Sequence, residues 1–150
     1  MIYVSPYNDP EVVGGQGTAG VEVSRQIDRV DSLFVALGGG GLIAGIAGYL
    51  KALDPRVRVI GCSPANSCVM AESMRVGRIV ELESRPTLSD GTAGGVEQGS
   101  ITFELCRELV DGCVLVTEEE IAGALRFFIG AHHMLIEGAA AVAVAAFLKS

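Results

Sequence analysis

Four adjacent glycines, Gly38-Gly39-Gly40-Gly41, stand between the apolar stretch Ser32-Leu33-Phe34-Val35-Ala36-Leu37 and a segment of helical character from Ile43 to Leu53. Nothing else in the chain constrains the fold as strongly. A strand-to-helix turn without β-carbons lets several backbone N–H groups converge on one anion near the positive end of a helix. The run therefore predicts a phosphate cradle. A purely structural tight turn is the competing reading, but glycines cost loop entropy and four in succession are hard to justify by packing alone.

The rest of the chain bounds what this cradle can belong to. With 150 residues, 49% of them apolar, and a mean hydropathy of +0.44, the chain is long enough for one domain with its own core, expected to span 1–150. The longest uncharged apolar run, Gly138 to Leu148, is shorter than the roughly 20 residues a membrane span requires. Met1-Ile2-Tyr3-Val4-Ser5-Pro6 lacks the charged-then-apolar pattern of a secretory leader. A cytoplasmic location with no membrane partner follows as the expectation. A net charge of −7 offers no basic stripe, which argues against nucleic acid as a partner. Cys62, Cys68, Cys106 and Cys113 are scattered without a C-x-x-C pair and read as small core residues, so metal binding is not expected of them.

Periodicity alternates between helix and strand, which predicts an α/β fold: a three-layer, mostly parallel sheet with helices on both faces. Asn8-Asp9-Pro10 reads as a cap with proline at the first helical position, opening a segment that restarts around Gln16-Gly17-Thr18. Strands are expected at Leu33–Leu37, Val57–Cys62 and Cys113–Val116, and helices at Leu42–Leu53, Met70–Val76 and Ile101–Val110. Gly45 and Gly48 should let the second helix pack closely. Thr117-Glu118-Glu119-Glu120 has the form of a capping box and starts a helix running to about His132. A last helix, Gly138 to Leu148, is apolar all round and should be buried between other elements. Gly77 to Gly99 is rich in turn chemistry and reads either as a loop lining a site or as a solvated connection. Only three strands for so apolar a last helix make the chain look like part of a larger protein.

Flanking residues narrow the ligand. A triphosphate loop needs a lysine after its last glycine, yet Ile46 follows Gly45. Gly39, Gly41 and Ala44 satisfy a dinucleotide fingerprint, but Cys62-Ser63 stands where the ribose-binding acid should be. A compact monophosphate needs only the cradle.

Gln16-Gly17-Thr18, Gly38 to Gly41 with Leu42, Ser89-Asp90-Gly91, Val116 to Ile121, and Ile136-Glu137-Gly138-Ala139-Ala140 occur in an order and spacing that resembles the serine/threonine dehydratase and serine racemase family. These are fold-type-II enzymes using pyridoxal 5′-phosphate. The resemblance covers the chain, while the chain covers about the second half of a typical member. Ser89 to Gly95 looks closest to the hydroxyectoine-utilisation dehydratase branch. The resemblance implies that Gly38, Gly39, Gly40, Gly41 and Leu42 bind the cofactor phosphate through backbone amides, that Gly91 approaches the cofactor with its backbone, and that Glu137 faces the ring region. Gln16 would support the cofactor region. On the residues alone, Glu137 could equally cap the last helix, Thr18 could cap a helix, and His132-His133 reads as structural at a helix C-terminus.

Such a family member dehydrates a small hydroxy-amino acid, and a racemase or a non-catalytic phosphate-binding module remain as alternatives. The family's Schiff-base lysine would come from a segment before this chain begins. Lys51 and Lys149 do not match its motif, and Lys51 should extend to water near a helix end. No catalytic residue is therefore assigned within the chain. The divalent-cation site of some relatives needs carboxylates where Ser63 to Val69 has none, so no metal is expected there. A small amino-acid substrate and homo-oligomeric assembly complete the expectation.

Overall fold

A computed structural model describes residues 3–150; Met1 and Ile2, where the N-terminal stretch begins, lie outside them. Parallel strands β1 (Ser32–Ala36), β2 (Arg58–Pro64) and β3 (Gly112–Val116) form one sheet in that order. The described residues also form six α-helices: α1 (Pro10–Gln26), α2 (Gly41–Leu53), α3 (Val69–Val76), α4 (Ile101–Leu109), α5 (Glu118–His132) and α6 (Gly138–Lys149).

Side chains alternate across the pleat, and each sheet face has its own core. Val35 and Val59 pack toward α2, α3 and α4 with Ile43, Leu50, Met70 and Phe103. Ile60, Cys62 and Val116 face α5 and α6, meeting Ile121, Ala124, Val142 and Ala145. The expected three layers are present. Side chains as enclosed as Ile43 and Val59 each contribute about 1.5–3 kcal/mol relative to exposure.

Several local expectations need correction. The first helix does not restart at Gln16: α1 runs unbroken from its cap, where the Asp9 carboxylate accepts from the Glu11 and Val12 amides. Its internal glycines are tolerated because α1 docks on α2 backbone to backbone. A β-carbon at Gly45 would strike the Val13 carbonyl, and one at Gly17 would lie 3.1 Å from the Gly45 oxygen. Gly48 has no such role, its nearest neighbour there being Leu109 at 3.9 Å. The last helix buries one face only, with Ala141, Val142, Ala145 and Ala146 inside and Phe147 65% exposed. Cys113 is exposed, Cys68 is half-buried, and Cys62 and Cys106 alone are buried core thiols.

Lys51 does not extend freely to water. Its ammonium pairs with both Asp111 carboxylate oxygens at 2.8 Å, and Asp111 also accepts from the Val59 amide at 2.6 Å. Helix end, central strand and the start of β3 are thereby joined.

Candidate functional site

Beyond the C-terminal end of β1 the chain enters the glycine turn and then α2, the position where parallel α/β sheets place ligands. A pocket of about 370 Å³ opens there. Gly38, Gly39, Gly40, Gly41, Leu42, Gly91 and Glu137 all line it, although they come from three separate parts of the chain. Thr18 and Gln16 do not. Thr18 lies within α1 and its hydroxyl donates to the Gly15 carbonyl at 2.7 Å, while Gln16 sits beside Gly45 on the α1–α2 contact. His133 ends α5 in the left-handed conformation, and His132 packs against Phe127 and Phe128.

The amides of the turn are free to bind a ligand. Leu37 N–H makes the last sheet bond, to the Cys62 carbonyl at 2.8 Å, and Ala44 N–H makes the first bond of α2, to the Gly40 carbonyl at 3.0 Å. Between them, the N–H groups of Gly38 to Ile43 have no partner among the described residues. Six consecutive donors, three of them in the first turn of a helix, suit an anion.

Close packing, against the expectation from sequence, is by itself enough to require the glycines, so the free amides and not the glycine count support a ligand. Gly40 has φ +89°, a left-handed conformation that costs an L-residue about 1–2 kcal/mol. A β-carbon on Gly38 would lie 2.9 Å from the Thr92 carbonyl oxygen, and one on Gly39 would enter the Tyr7 ring. Behind the turn, the Thr102 hydroxyl donates to the Gly39 carbonyl at 2.6 Å and the Cys106 thiol approaches the Gly40 carbonyl at 3.8 Å. Burial pushes the Cys106 thiol up to about 12, so it stays protonated and can donate.

Tyr7 was not legible as a pocket residue. Its hydroxyl accepts from the Glu97 amide at 3.0 Å, and the Glu97 carboxylate accepts from Ser5 at 3.2 Å and Asn8 at 2.7 Å. Burial raises the Tyr7 phenol, the Glu97 amide bond lowers it in part, and the Glu97 charge raises it further, so it remains neutral at pH 7. The only sequence signal was its place just ahead of the cap of α1, the helix that docks on α2.

In the same pocket, Glu137 occupies the N-cap position of α6, yet its side chain makes no capping bond. Its carboxylate oxygens lie 3.8 and 4.0 Å from where a Gly91 β-carbon would be. The Gly91 turn is held by its own Asp90, whose carboxylate accepts from the Gly91 amide at 2.9 Å. Further back, Glu118 accepts from the Leu88 amide at 2.7 Å, and the Leu88 carbonyl sits where a β-carbon on Gly138 would be. Part of the Gly77–Gly99 stretch thus lines the pocket, through Gly91 and Thr92.

Neither lysine reaches the pocket. Lys51 lies ten residues along α2 from Gly41, about 15 Å at 1.5 Å per residue. Lys149 pairs with Glu120 at 3.0 Å and donates to the Leu115 carbonyl at 3.1 Å.

The family model described as "Pyridoxal-phosphate dependent enzyme" matches residues 1–150. The chain is 44% identical over 148 residues to the L-threonine ammonia-lyase of Thermotoga maritima, covering 99% of this chain and 37% of that protein. It is 44% identical over 148 residues to the catabolic L-threonine dehydratase TdcB of Escherichia coli, covering 45% of it. Among solved structures, threonine deaminase isoform 2 of Solanum lycopersicum superposes with a TM-score of 0.93 at 36% identity, over 100% of this chain and 45% of that one. Serine racemase of Dictyostelium discoideum gives 0.89 at 34% identity, over 97% and 46%. The chain spans less than half the length of these relatives.

Proposed function

The chain belongs to the pyridoxal-phosphate-dependent enzymes, and from that membership we propose that it forms the cofactor-holding part of an ammonia-lyase acting on a small hydroxy-amino acid, threonine or serine. The observation that carries this reading is the row of unpartnered amides at the N-terminus of α2, facing a pocket shared with Gly91 and Glu137. A dianionic phosphate suits these donors, the first four of which carry no β-carbon of their own.

In this reading the amides of Gly38 to Leu42 hold the phosphate, and the helix end favours its charge. Gly91 brings bare backbone to the cofactor, and the Glu137 carboxylate beside it orients the ring. Tyr7 closes the side of the turn and keeps water from the phosphate. Bound there, the cofactor supplies the electron sink for loss of the α-proton and the β-hydroxyl. Lys51 and Lys149 are engaged away from the pocket, so in this reading a lysine outside residues 1–150 would hold the cofactor covalently, and these residues by themselves would not turn over substrate.

Release of keto acid from L-threonine and L-serine by the full protein tests the proposal, and absence of keto acid would overturn it. The likeness to serine racemase favours racemisation as the second reading. Exclusive formation of D-serine would select it. A cytoplasmic location and homo-oligomeric assembly belong to the same proposal. Among the described residues no helix is long and apolar enough to cross a membrane, and Leu135 and Phe147 leave apolar surface exposed. Light scattering that finds only monomer would remove the assembly.

A further inference from the structure

Ser100 is the N-cap residue of α4, but its hydroxyl makes no capping bond. A serine in this position ordinarily accepts from an amide of the first helical turn. Here Asn8 serves instead, its side-chain Oδ1 accepting from the Ile101 amide at 2.9 Å. The Ser100 hydroxyl lies 2.7 Å from the Thr102 hydroxyl, and both residues are buried.

We propose that Ser100 and Thr102 are positioning residues that aim and polarise the Gly40 amide toward the cofactor phosphate. This rests on the phosphate reading given above. A hydroxyl carries one proton, and the Gly39 carbonyl can only accept, so the Thr102 proton lies on the 2.6 Å bond to Gly39. Ser100 must then donate to Thr102. The bonds run in one direction: Ser100 to Thr102, Thr102 to the Gly39 carbonyl.

The Gly39 carbonyl and the Gly40 N–H belong to one peptide plane. The described residues contain no cis bond, so the two groups point in opposite directions. Drawing the carbonyl toward α4 turns the Gly40 N–H away from α4. Gly40 lines the pocket, and its N–H has no partner among the described residues. Hydrogen bonds in series polarise one another, by roughly 10–30% per bond, so the chain also strengthens the amide as a donor. Glycine has no side-chain preference to set this plane. The distant hydroxyls set it.

The experiment compares the full protein with Thr102→Val, Thr102→Ser and Ser100→Ala, using inorganic phosphate and pyridoxal 5′-phosphate as separate probes. Loss of the hydroxyl in Thr102→Val should weaken binding of both probes roughly tenfold, and Thr102→Ser should restore it to within about twofold. The Gly40 amide proton resonance should move upfield in Thr102→Val and Ser100→Ala without ligand, which a purely structural role would not require. Parental affinity in folded Thr102→Val overturns the relay and leaves the phosphate reading intact. Should Thr102→Val fail to fold, an unmoved Gly40 resonance and unchanged affinity in Ser100→Ala overturn it. A parent protein that binds neither probe overturns the phosphate reading itself, and the relay with it.

Discussion

Tyr7 lays its ring against Gly39 in the space a β-carbon would need, while the Glu97 amide holds the Tyr7 hydroxyl at 3.0 Å. The ring can leave the glycine turn only by giving up that bond.

Gly39→Ala should therefore displace the ring and open the turn to water. Overpacking of this kind typically costs about 1–3 kcal/mol. Urea titration should show that cost, and cofactor affinity should fall in parallel. Combining the substitution with Tyr7→Ala should recover part of the loss, because the two residues are in contact. Simple additivity would mean that the ring and Gly39 do not constrain each other.

Gly138 and Gly14 should respond with opposite signs to the same change. A β-carbon at Gly138 collides with the Leu88 carbonyl, whereas one at Gly14 meets nothing within 4 Å inside α1. Gly138→Ala is expected to destabilise by about 3 kcal/mol or more, since rigid backbone must move. Gly14→Ala is expected to stabilise by roughly 0.5–1 kcal/mol, the cost of glycine in a helix interior. Melting curves of both variants would show whether Leu88 is as firmly seated as the geometry requires.

Asp111 ties stability to pH. Burial acts to raise its carboxyl, but the Lys51 and Val59 hydrogen bonds and the nearby cations outweigh it and hold it below the usual carboxylate range. A depressed value in the folded state stabilises the protein above the unfolded pKa, near 3.9, and that contribution disappears as pH falls through the folded value. The stability gap between parent and Asp111→Asn should thus be largest near neutrality and shrink below about pH 4. A gap that is constant from pH 7 to pH 2 would contradict this.

The start of α5 offers a test of a purely local device. Thr117 accepts from the Glu120 amide at 3.3 Å, and Glu120 accepts from the Thr117 amide at 2.8 Å. Thr117→Ala should cost about 0.5–2 kcal/mol, as loss of a helix cap does. The Thr117 amide bond first, then Lys149, lowers the Glu120 carboxyl, so Glu120→Gln should matter less as pH falls through the carboxylate range.

Much of this was legible before the structure. The Thr117 box was, because its parts stand three residues apart and the chemistry is complete within one helical turn. So were the three strands and the glycine turn, where apolar runs end in residues that only tight backbone accepts. The unbroken α1 was not. Helix propensity counts Gly14, Gly15 and Gly17 against it, while the docking of Gly17 on Gly45 compensates from another element. Glu137 was balanced between cap and site, and its carboxylate leans toward Gly91 rather than its own helix.

The sequence alone determined the three strands, the capped start of α5 and where bare amides end β1, since these follow from interactions a few residues long. Tertiary structure decided that Tyr7 covers the turn and that Thr102, 63 positions downstream, takes the Gly39 carbonyl. A glycine peptide has nearly equal access to several orientations. Its direction is therefore chosen by whichever distant group the folded chain brings within hydrogen-bonding reach.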